Sequence, residues 1–137
     1  MDSSCLFCRI AAREIPADIV RESEGVVAFR DVNPQAPTHI LLIPKEHVTS
    51  VAELSDHHAG VLADIMQAAA HLARADGIAD SGWRLVTNVG PDAGQTVFHL
   101  HFHVLPLNEG QTLRPHSGKM ADHAVLAKQA EIIRKAL

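Results

Sequence analysis

The chain has 137 residues, about the size of one domain, and 47% of them are hydrophobic, as in an ordinary folded globule. Lysine and arginine number 12 against 16 aspartates and glutamates, so the net charge of −4 does not provide the positive field that nucleic-acid binding needs. No apolar run approaches the roughly 20 residues of a membrane span, and the first ten residues do not resemble a signal peptide. We therefore expect a cytoplasmic protein whose partner is neither a nucleic acid nor a membrane.

The first part of the chain predicts one short helix and three strands. The helix spans residues 5–14 and ends before Pro16. Two strands at 19–20 and 26–29 follow, with a turn between them. Residues 38–43, THILLI, form a β-branched and aliphatic run, which is typical of a strand with a buried interior.

The middle of the chain predicts a long helix and a hairpin. Between residues 56 and 76 the apolar side chains follow i, i+3, i+4 spacing, and Gly77 occupies a position where helices commonly end. Residues 83–89 and 96–105 alternate as strands do, and the loop at 90–94 between them is rich in turn residues. We expect these two strands to pair.

A last helix is predicted from Asp122, a capping residue, to Leu137. Its apolar inner face is formed by Val125, Leu126, Ile132 and Ile133. Taken together, the elements predict an α+β fold with an antiparallel five-stranded sheet and helices packed on it.

Three histidines alternate with apolar residues in the stretch 99–104, HLHFHV. Because side chains alternate across a strand, His99, His101 and His103 are predicted to project from one face, with neighbouring rings starting roughly 6.5–7 Å apart. That spacing suits a phosphate held among several rings, and imidazole can act as nucleophile, proton donor or metal ligand near pH 7. A solvated polar face is the simpler alternative, and a catalytic metal held by three histidines is another. The strict register beside Asn88 and a glycine-rich loop favours a functional site.

Five segments of the chain carry a wider pattern. They are 31–39 (DVNPQAPTH), 43–47 (IPKEH), Asn88, 94–96 (GQT) and 99–105 (HLHFHVL). Together they resemble the histidine-triad (HIT) family, and within it the branch of histidine-triad nucleotide-binding proteins. The resemblance implies a single HIT domain over 1–137, with a core at 5–105 and a C-terminal extension with a helix at 106–137.

The resemblance also implies an activity. It is a nucleotide hydrolase or transferase that acts on the α-phosphate of purine nucleoside phosphoramidates through a covalent nucleotidyl-histidine on His101. His103 would donate to the phosphate or the leaving group, and His39 would hold the triad in its productive orientation. His99 would be a scaffold beside the nucleophile. Hydrolysis of dinucleoside polyphosphates is a sister activity, and a nucleotide-binding regulatory protein with incidental turnover is a competing hypothesis.

The family pattern further assigns residues to a bound purine nucleotide such as AMP, GMP or a conjugate. The phosphate would contact His101, His103 and the turn Gly94-Gln95-Thr96, whose backbone N–H groups and hydroxyl form a small anion nest. Thr96 stands where the nearest branch usually has serine, which keeps the hydroxyl. Asn88 would touch ribose or phosphate, although it could equally be a hairpin residue.

For the nucleoside, Asp31 would accept hydrogen bonds from the ribose hydroxyls. Val32 would join an apolar slot for the base, formed with Phe7, Ile10 and Phe29. Without the resemblance, aromatic and aliphatic residues at such positions are more often core residues.

Cys5-x-x-Cys8 has the spacing of half a zinc site. A thioredoxin-like redox pair would need a preceding strand, and two buried thiols are the remaining alternative. In bacterial-type relatives a zinc ion is bound by this pair together with the positions of His47 and His99. The resemblance thus implies a closed structural zinc site that the chemistry does not require.

The tail departs from the family pattern after Leu105. Residues 106–110, PLNEG, differ from the best-known phosphoramidases, whose C-terminal tail helps to choose the leaving group. His116 lies in this tail, and no motif supports it. The resemblance also implies a homodimer that pairs the sheets and the long helices across a two-fold axis.

Overall fold

A computed structural model describes residues 4–106 and 122–137 of the chain. Most of the divergent tail, including His116, lies outside these ranges. In chain order the elements are α1 (Leu6–Ala11), β1 (Ile19–Glu22), β2 (Val26–Arg30), β3 (Ile40–Pro44), α2 (Ala59–Ala75), β4 (Trp83–Val86), β5 (Phe102–Pro106) and α3 (His123–Ala136). Single-turn 3-10 helices at Val51–Glu53, Asp56–His58 and Pro91–Ala93 connect them.

The five strands form one sheet in the order β1-β2-β3-β5-β4, and every neighbouring pair is antiparallel. The five-stranded antiparallel sheet predicted from the sequence is therefore confirmed. The predicted pairing of the strands around residues 90–94 is also confirmed, since β4 pairs with β5.

The core lies on both faces of the sheet because side chains alternate along its central strands. Val26 and Ala28 of β2 point toward α2 and pack with Ile65 of that helix. Val27 and Phe29, the alternate residues, belong to a second apolar cluster that includes residues of α1. Thus α2 covers one face of the sheet, and α1 partly covers the other.

The long helix follows its predicted pattern. Its buried residues, Ile65, Ala68, Ala69, Leu72 and Ala73, repeat with i, i+3, i+4 spacing and face the sheet. Gly77 follows the helix with a positive φ of 76°, the left-handed conformation that commonly ends helices. The first predicted turn, Asp56–His58, is a 3-10 helix, so α2 itself begins at Ala59.

β5 is shorter than its sequence pattern predicts. The strand was predicted over 96–105 but begins at Phe102, the residue that pairs with Leu42 of β3. Two residues further along β3, Pro44 has no N–H, and its carbonyl oxygen accepts a hydrogen bond from Nε2 of the His99 ring at 2.7 Å. The hydrogen-bond ladder between β3 and β5 does not continue past this point, so His99 and the residues that follow it up to Phe102 belong to a loop.

The predicted alternation nevertheless persists through this loop. Leu100, Phe102 and Val104 all belong to the core cluster under α2. The histidines between them therefore lie toward the α1 side of the sheet, although only His103 is part of the strand.

The C-terminal helix is capped as predicted, since Oδ1 of Asp122 accepts a hydrogen bond from the N–H of Ala124 at 2.9 Å. Its predicted inner face is not buried among the described residues, and about half or more of each of these side chains is exposed: Val125, Leu126, Ile132 and Ile133. An amphipathic pattern specifies which face of a helix is apolar but not what covers it. Among the helices of residues 4–106 and 122–137, none is long and apolar enough to cross a membrane.

Candidate functional site

A cleft of about 220 Å³ lies on the α1 side of the sheet, and we call it the triad cleft. Leu6 and Ile10 are one turn apart in α1, so both side chains reach it together with Phe7. Its other walls come from the sheet and from the segment before β5, and include Phe29, Leu41, Asp31, Val32, Thr96, Val97, His101 and His103. The apolar slot predicted for a base and both predicted phosphate-binding histidines therefore line one cleft.

The hydrogen bond made by the His101 ring defines which of its nitrogens carries the proton. Nδ1 lies 2.7 Å from the carbonyl oxygen of His99. A carbonyl oxygen only accepts, so Nδ1 carries the hydrogen, and Nε2 of the neutral ring keeps its lone pair. Phe7 meets the ring edge to face at a centroid distance of 5.1 Å, which restricts its rotation. The ring is held in the form that a nitrogen nucleophile requires.

Hydrogen bonds from Gln35 to His39 and from His39 to His103 give the His103 ring the opposite tautomer. The N–H of Gln35 donates to Nδ1 of His39 at 3.1 Å, so His39 carries its proton on Nε2. That nitrogen lies 2.8 Å from Nδ1 of His103, which accepts, and the proton of neutral His103 is therefore on Nε2. Nε2 of His103 is buried and has no hydrogen-bond partner among residues 4–106 and 122–137. An unpaired buried donor is costly, and an oxygen of a bound ligand would satisfy it.

The imidazole rings of His39 and His103 are neutral near pH 7. Burial lowers the pKa of His103 to about 4, with smaller contributions from His101 and His39 and an opposing one from Asp31. Burial also lowers the pKa of His39, against the attraction of Asp31, whose Oδ2 lies 3.4 Å from Nε2 of His39. The site therefore depends on directed hydrogen bonds rather than on histidine charge.

Asp31 and Val32 follow β2 directly at the mouth of the cleft. Oδ1 of Asp31 accepts the N–H of Asn33 at 2.8 Å, a local turn that orients the carboxylate. Val32 lines the cleft and is 85% exposed. The structure brings both residues to the cleft that contains His101 and His103.

The turn predicted to bind phosphate is closed by hydrogen bonds of its own backbone. Gly94 adopts a positive φ of 96°, its N–H donates to Pro91 O, and the N–H of Gln95 donates to Gly90 O. Two amides of the predicted nest are thus engaged within the turn. Thr96 lines the triad cleft, whereas Gly94 and Gln95 are not among its lining residues.

Gln95 and Asn88 support this turn. The buried Gln95 side chain accepts the N–H of Gly90 at 2.9 Å and donates to the carbonyls of Thr49 and Val97 at 2.8 and 3.1 Å. A β-carbon at Gly94 would lie 3.9 Å from Nδ2 of Asn88, so Asn88 is beside the turn, and it does not line the cleft.

The four residues predicted to bind a metal form one cluster. One ligand atom from each lies within 4.8 Å of all the others: Cys5, Cys8, His47 and His99. Sγ of Cys8 is 3.3 Å from Nδ1 of His47, and the two Nδ1 atoms of His47 and His99 are 3.2 Å apart. The edges of a tetrahedral zinc site with two sulfurs and two nitrogens are about 3.4–3.8 Å.

The protonation of His99 also fits a metal ligand. Its Nε2 donates to the carbonyl oxygen of Pro44, so Nδ1, the nitrogen that faces the cysteines, keeps its lone pair. Such an outer hydrogen bond is the usual companion of a metal-bound histidine.

Sequence reasoning missed the backbone groups of the site. The amide of Gln35 and the carbonyls of Pro44 and His99 determine the histidine tautomers, but a backbone group has no signature in the sequence. The lining by Leu6 was also missed, although its i, i+4 spacing with Ile10 signals a shared face. Two further histidines, His57 and His58, lie next to Glu46, and neither lines the triad cleft.

Comparison with known proteins agrees with this geometry. Residues 12–110 match the HIT domain. The chain belongs to the HIT family. A purine nucleoside phosphoramidase of Escherichia coli (strain K12) is 44% identical over 105 residues, which cover 77% of this chain and 88% of that protein. A 14 kDa zinc-binding protein of Zea mays is 44% identical over 106 residues, covering 76% and 82%.

A solved structure shares the fold. A HIT family hydrolase from Clostridium thermocellum aligns with a TM-score of 0.79 and 46% identity, covering 84% of this chain and 100% of that one. The protein is a hydrolase of the HIT family.

Proposed function

We propose that the protein hydrolyses purine nucleoside phosphoramidates through a covalent nucleotidyl-histidine on His101. The observation that carries the proposal is the pair of opposite tautomers in the triad cleft. His101 has a lone pair on Nε2, and His103 has a buried N–H without a partner among the described residues. A nucleophile beside an unsatisfied donor suits attack on a phosphate whose oxygens become more negative in the transition state.

In the first step, Nε2 of His101 forms a bond to the α-phosphorus and the P–N bond to the leaving amine breaks. The amine takes a proton from water as it departs. The N–H of His103 donates to a phosphate oxygen, and the carbonyl of His99 stabilises the N–H of the now positive His101 ring. In the second step water attacks phosphorus, the bond to His101 breaks, and the nucleoside monophosphate leaves while the proton goes to solvent.

The triad cleft would orient the nucleoside. Its apolar wall of Phe7, Ile10 and Phe29 suits the base, and the carboxylate of Asp31 suits the ribose hydroxyls. The purine nucleoside phosphoramidase relative supports a purine as the base. A homodimer and a cytoplasmic location, both implied by the sequence, stay predictions.

Cys5, Cys8, His47 and His99 would hold a structural zinc ion, which the Zea mays relative supports. The ion would supply no step of the chemistry. Its ligands come from the start of α1, the segment after β3 and the loop before β5, so binding would fix these three segments to one another.

Turnover tests the proposal directly. Adenosine 5′-phosphoramidate and a diadenosine polyphosphate are compared as substrates for wild type, His101→Ala and the control His123→Ala, whose side chain is exposed on α3. We expect His101→Ala to lose at least about 10³-fold in kcat and to keep AMP binding. Mass spectrometry of quenched wild type should show an adduct of one nucleotide on His101.

Retained turnover in His101→Ala would contradict the mechanism. A preference for the polyphosphate would assign the sister activity instead. If wild type binds AMP and cleaves neither compound, the protein is a nucleotide-binding regulator.

A further inference from the structure

The carboxylate of Asp76 connects the end of α2 to the segment that carries His39. Asp76 follows α2, the helix on the face of the sheet opposite the triad cleft. Its Oδ2 accepts a hydrogen bond from the hydroxyl of Thr38, 38 positions away in the sequence. Thr38 is buried, and a hydroxyl that is removed from water needs such a partner. The end of α2 is therefore bonded to the residue directly before His39.

Helix electrostatics disfavour an aspartate at this position. The N–H of Asp76 donates to the carbonyl of Leu72 at 2.9 Å, which fixes the residue at the C-terminal end of the helix. That end carries the negative pole of the helix dipole, where a carboxylate is destabilising. The helix is ended by Gly77 in the left-handed conformation, which does not require a carboxylate before it. The contact with Thr38, in another part of the chain, accounts for an aspartate here.

The loop that contains Thr38 determines the tautomer of His39. Residues 31–39 form neither helix nor strand, and the N–H of Gln35 in this loop donates to Nδ1 of His39. Three hydrogen bonds of the loop, including one from Arg30 to the carbonyl of Pro37 at 3.3 Å, join residues within 30–39. The hydrogen bond from Thr38 to Asp76 instead connects the loop to a helix that packs in the core.

A cavity of about 220 Å³ borders this connection. Its lining includes Thr38, His39 and Asp76, with Arg30 and Ile40 beside them. No side chain of residues 4–106 and 122–137 fills this space, so close packing does not fix the loop on that side. The position of the loop therefore depends on its hydrogen bonds.

We propose that Asp76 is a positioning residue for the histidines of the triad cleft. Through the hydroxyl of Thr38 it holds the loop whose Gln35 amide donates to His39. His39 in turn donates to Nδ1 of His103, which leaves the proton of His103 on the unpaired Nε2. Hydrogen bonds thus extend from the end of α2, through the sheet, to the donor in the triad cleft. The effect on turnover rests on the proposed function, in which that donor binds the phosphate.

Nitrogen NMR of protein with isotope-labelled histidine measures the tautomers directly. In wild type we expect the protons on Nε2 of His39 and His103 and on Nδ1 of His101. In folded Asp76→Ala, His39 and His103 should each populate both tautomers. His101 is the internal control and should not change, because the carbonyl of His99 holds its Nδ1 proton.

Three further variants separate this contact from a general effect on folding. Thr38→Val removes the hydroxyl at nearly constant volume and should change the same tautomers, and adding Asp76→Ala to it should change them no further. Asp76→Asn keeps an acceptor oxygen and should retain the wild-type tautomers. Asp64→Ala, at an exposed aspartate of the same helix, should leave all of them unchanged.

Turnover of adenosine 5′-phosphoramidate measures the consequence for catalysis. For Asp76→Ala and Thr38→Val we expect kcat to fall about tenfold, as for the loss of one hydrogen bond to a charged group. KM should stay within about twofold, because the donor at His103 matters most when the phosphate oxygens become more negative in the transition state. Asp76→Asn and Asp64→Ala should keep the wild-type kcat.

Unchanged tautomers of His39 and His103 in folded Asp76→Ala would overturn the proposal, and Thr38→Val decides it in the same way if Asp76→Ala does not fold. Altered tautomers with an unchanged kcat would overturn the role in catalysis. Altered tautomers support the positioning role even if wild type cleaves no phosphoramidate, because the NMR measurement needs no turnover. Failure of this proposal is thereby distinguished from failure of the proposed function.

Discussion

The carbonyl oxygen of His99 lies 2.7 Å from Nδ1 of His101, and the ring of the same His99 belongs to the cysteine-histidine cluster. One residue thus joins the candidate metal centre to the candidate nucleophile. The ring is fixed at Nε2 by the carbonyl of Pro44, and its Nδ1 faces Cys5 and Cys8. When the His99 ring is fixed in the cluster, the carbonyl group of His99 is fixed as well, and this carbonyl determines the tautomer of His101.

Removing the metal should destabilise the protein far more than it slows each folded molecule. At free zinc a thousand times the Kd, binding contributes about 4 kcal/mol, and its loss shifts Tm by on the order of 10 °C. We expect this shift in thermal unfolding on addition of a chelator and in Cys5→Ala. Because both changes remove the same interaction, the chelator should lower the Tm of Cys5→Ala no further. An unchanged Tm of wild type with and without chelator would rule out the structural zinc site.

The free energy of unfolding should fall as the pH is lowered from about 6.5 to 4, because folding lowers the pKa of His103 to about 4. In that pH range the unfolded chain binds a proton on this residue and the folded chain does not. The free energy of unfolding therefore decreases by at most about 1.4 kcal/mol for each unit by which the pH is lowered. His39, whose pKa is lowered in the same direction, adds to the slope.

Urea unfolding at several pH values measures this slope. His103→Gln should flatten it partially, since His39 remains, and His123→Gln at the exposed start of α3 should leave it unchanged. A His103→Gln slope equal to that of wild type would show that the burial of His103 does not govern acid sensitivity.

Asp31→Asn should weaken the recognition of ribose. A carboxylate that accepts hydrogen bonds from hydroxyls contributes about tenfold or more to affinity, so AMP should bind correspondingly less tightly to the variant. The matched comparison is 2′-deoxy-AMP, which removes one of the hydroxyls. If Asp31 contacts that hydroxyl, substitution and deoxygenation should not add, as calorimetry can measure. Full additivity would instead attribute the effect of Asp31 to its neighbour His39, 3.4 Å away.

Local patterns predicted the elements well because each depends on nearby residues. The stripe of α2 and the alternation at residues 100–104 are properties of the chain itself. The start of β5 depends on a contact between Pro44 and His99, 55 positions apart, which no local pattern contains. For the same reason the apolar face of α3 could be predicted, but not whether anything covers it.

The candidate site could also be predicted only in part. The cysteine pair and the three histidines of the triad could be recognised in the sequence because their side chains have distinctive chemistry and spacing. Phe7 and Phe29, which the sequence left open between a core role and a base slot, pack in the second apolar cluster and also line the triad cleft. The tautomers could not be predicted because they depend on backbone groups such as the amide of Gln35.

Gln95 should be essential for the turn that is predicted to lie beside the phosphate. Its buried amide satisfies the N–H of Gly90 and the carbonyls of Thr49 and Val97, so Gln95→Met would leave these groups unpaired at nearly constant volume. We expect the free energy of unfolding to fall by about 2–4 kcal/mol, measured in urea. Gln67→Met, on the exposed face of α2, is the control and should change little.

The same variant should discriminate between ligands. Gln95 precedes Thr96, the residue of the turn that lines the triad cleft, whereas the predicted base slot consists of residues from α1 and the sheet. At a temperature where Gln95→Met is folded, AMP should therefore bind several times more weakly while adenosine keeps its affinity. Equal weakening of AMP and adenosine would show that Gln95 supports the whole cleft rather than its phosphate end.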